Sequence, residues 1–200
     1  MKRSEINRCI REMEELIRKN GFHLPPFCHW TPEEWKEKGH EYDEIRDAML
    51  GWDITDFGMG NWEKIGFALV TLRNGVAGDE RYPKPYAEKL LMLREGQHAP
   101  MHFHWYKWED IINRCGGTLI IHVRNDDEKE EPADTDVLVY SDGRRYTVPA
   151  GTGIVLRPGE SLTLPTHQFH DFDVEPGTGS VLIGEVSMCN DDVSDNHFVP

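Results

Sequence analysis

The chain has 200 residues, 38% of them hydrophobic, enough for one sizeable core. No apolar run approaches the roughly 20 residues that span a bilayer. Its formal charge of −14, with no stripe rich in Lys and Arg, argues against nucleic acid and membrane surfaces as partners and is compatible with a small neutral ligand.

The N-terminus lacks a signal-peptide hydrophobic region, and Cys9, Cys28, Cys115 and Cys189 are scattered without a C-x-x-C pair. A cytoplasmic location with reduced thiols is the expectation. The first predicted element is a helix: Ile6, Ile10, Met13 and Ile17 form one apolar stripe that begins after Ser4, stops at Asn20-Gly21 and reads as core packing. Thr31, Pro32 and Glu34 carry a capping-box signature for a short second helix stopping near Gly39, and residues 42–50 suggest a third.

From Ile65 onward the period changes. Strands are expected over residues 67–72, ended by Asn74-Gly75, and over 86–93. Others follow at 118–123, at 137–140 with a turn at Asp142-Gly143 into 145–148, and at 154–156, 161–164, 169–174 and 181–186. The acidic run from Asp126 to Glu131, followed by Pro132, Asp134 and Asp136, reads as a solvated loop. Short strands separated by Pro and Gly turns indicate an antiparallel sandwich or barrel. With no linker, repeat or low-complexity tract, one domain is expected over 1–200, with a helical extension at 1–60 and a β-barrel at 65–190.

The chemistry concentrates in two segments. Gly96 is followed after five residues by His102-Phe103-His104, after four more by Glu109, and after six more by Gly116. In a strand, residues two apart share a face, so His102 and His104 can enter a barrel together while Phe103 points away. Residues 105–108 can turn the chain and return Glu109 at the same height. In the second segment Gly159 precedes Pro165, His167 and His170. This spacing resembles the metal-binding cupin pattern, in which the last histidine of the second segment is the fourth ligand; that is His170. His167, where cupins often have glycine, becomes a pocket residue. The fold expected is therefore all-β, a cupin with a jelly-roll-like antiparallel barrel and an N-terminal helical extension. Imidazoles mixed with a carboxylate suit a divalent ion such as Mn, Fe, Co, Ni or Zn, without choosing among them.

Two charges interrupt apolar strands: Lys89 within Ala87 to Met92, and Glu185 within Val181 to Ser187. A charge inside a barrel is costly unless it pairs or binds something. By parity Glu185 shares a face with Val181 and Ile183, and Lys89 with Leu91 and Leu93, but register alone decides whether those faces point in or out.

Glu88-Lys89-Leu90-Leu91, Glu95-Gly96-Gln97, Pro100-Met101-His102-Phe103-His104-Trp105, Glu109-Asp110-Ile111-Ile112-Asn113-Arg114 and the ending Glu185-Val186-Ser187, Asn190-Asp191-Asp192, Asp195-Asn196 together resemble the cupin-type D-lyxose isomerases. The resemblance runs from about Tyr86 to the C-terminus, and the helical lead-in suits the same group. It implies a Mn-type divalent metal held by His102, His104, Glu109 and His170, and interconversion of D-lyxose with D-xylulose, with D-mannose and D-fructose as secondary substrates. A homodimer is the expectation for cupins of this kind.

Such a reaction moves a hydrogen between C1 and C2. Glu185 is the expected base for the carbon-bound proton, with Lys89 shuttling or stabilising charge at the oxygens. His167, Asp195, Trp105 and Trp108 are candidates for contacts with the remaining hydroxyls and the sugar's C–H surface. A metal-dependent cupin oxygenase and a non-catalytic sugar-binding cupin are the alternatives, separated by oxygen consumption and by absence of turnover.

Overall fold

The computed structural model describes residues 1–199. Three short helices lead into thirteen strands: α1 (Arg3–Lys19), α2 (Pro32–Lys36), α3 (Asp43–Asp47), β1 (Gly51–Thr55), β2 (Phe67–Arg73), β3 (Tyr86–Leu93), β4 (Ala99–Phe103), β5 (Glu109–Gly116), β6 (Leu119–Asn125), β7 (Val137–Ser141), β8 (Arg144–Val148), β9 (Thr152–Leu156), β10 (Ser161–Leu164), β11 (Gln168–Val174), β12 (Val181–Met188) and β13 (His197–Phe198). The strands form two antiparallel sheets, one of eight in the order β1-β2-β3-β12-β5-β10-β7-β8 and one of five in the order β13-β4-β11-β6-β9. This is the expected all-β cupin jelly roll with N-terminal helices.

Helix α1 starts two residues before the expected boundary because the Glu5 carboxylate accepts the Lys2 N–H and caps the first turn. Thr31 and Glu34 exchange hydrogen bonds as a capping box at α2. The third helix is shorter than expected: a 3-10 turn at His40–Tyr42 precedes α3, and Met49 at φ 54° turns the chain out of it. Two strands were not foreseen. In β1 Trp52 and Ile54 face the layer under α1 while Asp53, between them, faces the other way; β13 is a two-residue strand that ties the C-terminal segment to β4 by pairing Phe198 with His102.

Apolar residues pack in two layers. Between the sheets lies a core that includes Leu91, Leu93, Ile111, Ile121, Phe172 and Ile183. On the outer face of the eight-stranded sheet, Cys9, Met13 and Ile17 of α1 cover Val70, Leu72, Leu90, Met92 and Leu182. Alternation along β3 and β12 explains both: even-numbered Leu90, Met92 and Leu182 face the helix, and odd-numbered Leu91, Leu93 and Ile183 face the other sheet. Lys89 and Glu185 share parity with the second set, so both charges point between the sheets. All four cysteines are free. No helix among the described residues is long and apolar enough to cross a membrane.

Candidate metal centre and the cavity above it

Strand β11 lies beside β4 with His170 directly opposite His102, and a bulge between His170 and Phe172 adjusts the register. His104 follows β4 by one residue. Each ring is fixed by its Nδ1, which donates to a backbone carbonyl: His102 to Pro100 at 2.8 Å, His104 to Asp195 at 2.9 Å and His170 to Gln168 at 2.9 Å. A carbonyl can only accept, so Nδ1 carries the hydrogen and the neutral ring presents a lone pair at Nε2. Metal-ligating histidines are oriented in this way.

Ligand atoms of His102, His104 and His170 lie within 4.8 Å of one another. Glu109 enters from the opposite sheet, its Oε1 3.1 Å from His170 Nε2 and its Oε2 3.5 Å from His104 Nε2. In neutral rings these are acceptors facing acceptors. His170 is 1% exposed, and its Nε2 has no hydrogen-bond partner. A buried acceptor left unpaired against a carboxylate is unfavourable unless a cation lies between them. The donor set therefore fits a divalent ion.

The electrostatics agree. Burial, then the neighbouring His170 and His104, hold His102 well below the usual imidazole value, so its ring stays neutral. Burial would raise the Glu109 carboxyl, but the Lys107 cation, first among its neighbours, holds it well below the ordinary carboxylate range. Lys107 is the group that sequence reasoning missed. Buried between two carboxylates, its Nζ lies 2.8 Å from Glu109 Oε2 and 2.9 Å from Glu185 Oε1. Burial would lower its pKa; Glu109 and Glu185 instead raise it, so Lys107 remains a cation. The available signal was a lysine set between Trp105 and Trp108, two residues before Glu109.

Register places Glu185 opposite Lys89 on β3 and opposite Ile111 on β5. Its Oε1 also accepts from Ser187 at 3.2 Å and lies 3.7 Å from Lys89 Nζ. Lys89 in turn donates to Asn190 Oδ1 and lies 3.6 Å from Asp192. Both charged strand residues thus reach one cavity of about 190 Å³, which His102, His104, Lys107 and Glu109 also line. A larger surface hollow of about 520 Å³ along α1 contains none of these groups.

Other expected contacts lie elsewhere. Asp195 is buried and spends its carboxylate on the backbone N–H groups of Tyr106 and Lys107, at 2.7 and 3.1 Å. It fixes the turn that presents Lys107 instead of reaching the cavity. His167, at φ 61°, pairs with Asp126 at 2.9 Å and stacks on Phe103, the outward residue of the His-Phe-His segment. Trp105 donates to Glu130 and Trp108 is exposed; Phe57, Phe67, Phe172 and Phe198 supply the aromatic lining. The acidic loop is accordingly only partly solvated, since Asp126 and Glu130 anchor these rings.

A family model described as D-lyxose isomerase matches residues 1–200. The D-lyxose/D-mannose isomerase of Escherichia coli O157:H7 is 46% identical over 200 residues, covering 100% of this chain and 88% of that protein. The protein of the same description from Serratia proteamaculans is 45% identical over the same coverage. Among solved structures, Geodermatophilus obscurus L-ribose isomerase superposes with a TM-score of 0.64 at 16% identity, over 100% of this chain and 92% of that one, a likeness of fold.

Proposed function

The chain belongs to the D-lyxose isomerase family, and we propose that the cavity between its sheets interconverts D-lyxose with D-xylulose and, secondarily, D-mannose with D-fructose. The observation that carries this reading is the juxtaposition of Glu185, Lys107 and Glu109 beside three imidazoles whose free nitrogens converge. A cavity of about 190 Å³ is below the roughly 300–1,000 Å³ of sites for drug-sized ligands and suits a small polyol.

His102, His104, Glu109 and His170 would hold the divalent ion, with Mn preferred and Co, Fe, Ni or Zn compatible with the same donors. When bound, the ion supplies Lewis acidity for polarising the sugar carbonyl. Glu185 takes the proton from C2 of the aldose and returns it to C1 of the enediol. Lys107, 2.9 Å away, donates to the Glu185 carboxylate and toward the oxygen where charge develops. Lys89 is a further donor for the sugar oxygens, at the edge shared with Asn190 and Asp192. Phenylalanines on the wall offer apolar faces to the sugar's C–H surface.

Metal-loaded protein incubated with a panel of aldoses, D-lyxose and D-mannose first, should yield the corresponding ketoses, and chelation should abolish the yield. No ketose from any aldose would overturn the reading. A homodimer is also inferred. Tyr86, Trp108, Val186 and Met188 are exposed at one end of β3, β12 and β5, where Met188 pairs with Tyr86 and its N–H bonds to the Trp108 carbonyl. A solution mass of one chain would contradict it. Free cysteines support a reducing, cytoplasmic setting.

A further inference from the structure

Strand β11 alternates between two chemistries. His170 points between the sheets, and Asp171 and Asp173 consequently emerge on the outer face of the five-stranded sheet. Register sets His122 of β6 directly opposite Asp171, and Phe172 opposite Ala99, which brings His98 beside Asp173. His122 Nδ1 lies 2.7 Å from Asp171 Oδ1 and 3.8 Å from Asp173 Oδ2, and His98 Nδ1 lies 3.1 Å from Asp173 Oδ1. Ligand atoms of His98, Asp171 and Asp173 all fall within 4.8 Å of one another.

We propose that His98, Asp171, Asp173 and His122 form a second divalent-cation site on the outer face of the barrel, separate from the central one. Two carboxylates and two imidazoles carry two negative charges when the rings are neutral, which matches a divalent ion, and this donor set selects a borderline metal such as Zn, Co or Ni over Ca or Mg. Asp171 is largely buried and held by the sheet, whereas His98, His122 and Asp173 are each about two-thirds covered, so the donors are partly ordered before an ion arrives. Gly153, opposite His122 on β9, leaves room for the ring: a Cβ there would lie 3.1 Å from His122 Nε2. The protein's overall negative charge favours cation approach.

The test counts ions. Full-length protein, stripped of metal and dialysed against buffered low-micromolar Zn(II), should retain two zinc ions per chain. The His98→Gln/Asp173→Asn variant should retain one, while its Mn-supported isomerase rate stays within about twofold of the parent, as for surface substitutions away from the site. The single variants His98→Gln and Asp173→Asn should each weaken the second binding step about tenfold or more, which guards against a folding defect in the double variant. One zinc ion per chain in the parent, or two in the double variant, overturns the proposal.

Discussion

At the scale of residues, the site is a contest between burial and pairing. Glu109 and Glu185 are buried carboxylates that share one cation, Lys107, whose Nζ lies 2.8 Å from the first and 2.9 Å from the second. Glu185→Gln keeps the volume and the hydrogen bond to Ser187 but removes the base. It should lower kcat by about 10²- to 10⁴-fold while metal content, read by elemental analysis, is unchanged. Wild-type turnover in this variant would remove Glu185 from the reaction. The four candidate ligands were legible in the sequence because two-residue and fixed-gap spacings translate directly into shared faces. Lys107 was not, because it lies in a turn whose path no periodicity describes. Asp195 was misplaced for a related reason: sequence shows a carboxylate near the site but not that two backbone N–H groups claim it first.

At the scale of elements, side-chain parity along the strands decides which charges enter the cavity. Strands with an apolar alternation were visible, and once β12 was registered against β3 the inward direction of Lys89 and Glu185 followed. Strands β1 and β13 are not visible in the sequence because both are too short to show a period, five residues opening on Gly51 in one and two residues in the other. Asp53 lines the cavity, and burial, then the nearby Asp192, raises its carboxyl pKa. Helix α1 was found from its stripe, although the residues it buries most fully are Cys9, Met13 and Ile17, with Ile6 and Ile10 half-covered. Met13 is fully buried against the sheet's outer face. Met13→Ala should therefore cost about 2–5 kcal/mol of unfolding free energy by denaturant titration. A loss below about 0.5 kcal/mol would mean that the helix does not share the sheet's stability.

For the whole molecule, the shifted groups set a pH dependence with a definite sign. His102 is held below 6.5 in the folded state, so below that value the unfolded chain binds a proton that the folded one refuses. Its contribution is complete above about 6.5 and is lost as pH falls. Glu109, held below 4.5, acts in the same direction at lower pH. Lys107, held above 10.5, contributes a loss only on the far alkaline side. The melting temperature of metal-free protein should be level from about pH 7 to 9 and fall below about 6.5; a rise on acidification from 7 to 5 would contradict these assignments. Because α1 and the sheets share one apolar layer, this melting should be a single cooperative transition.

The central claim is that Glu185 moves a carbon-bound proton within this cavity. Isomerisation of D-lyxose by the Mn-loaded protein in D₂O tests it most directly, with the sugar's C1 and C2 positions read by NMR. Deuterium entering the C1 position of the ketose during turnover is the predicted result, since a proton held on a carboxylate exchanges with solvent. Complete conversion with no deuterium bound to carbon would contradict proton transfer through Glu185 and require direct hydride movement between the two carbons.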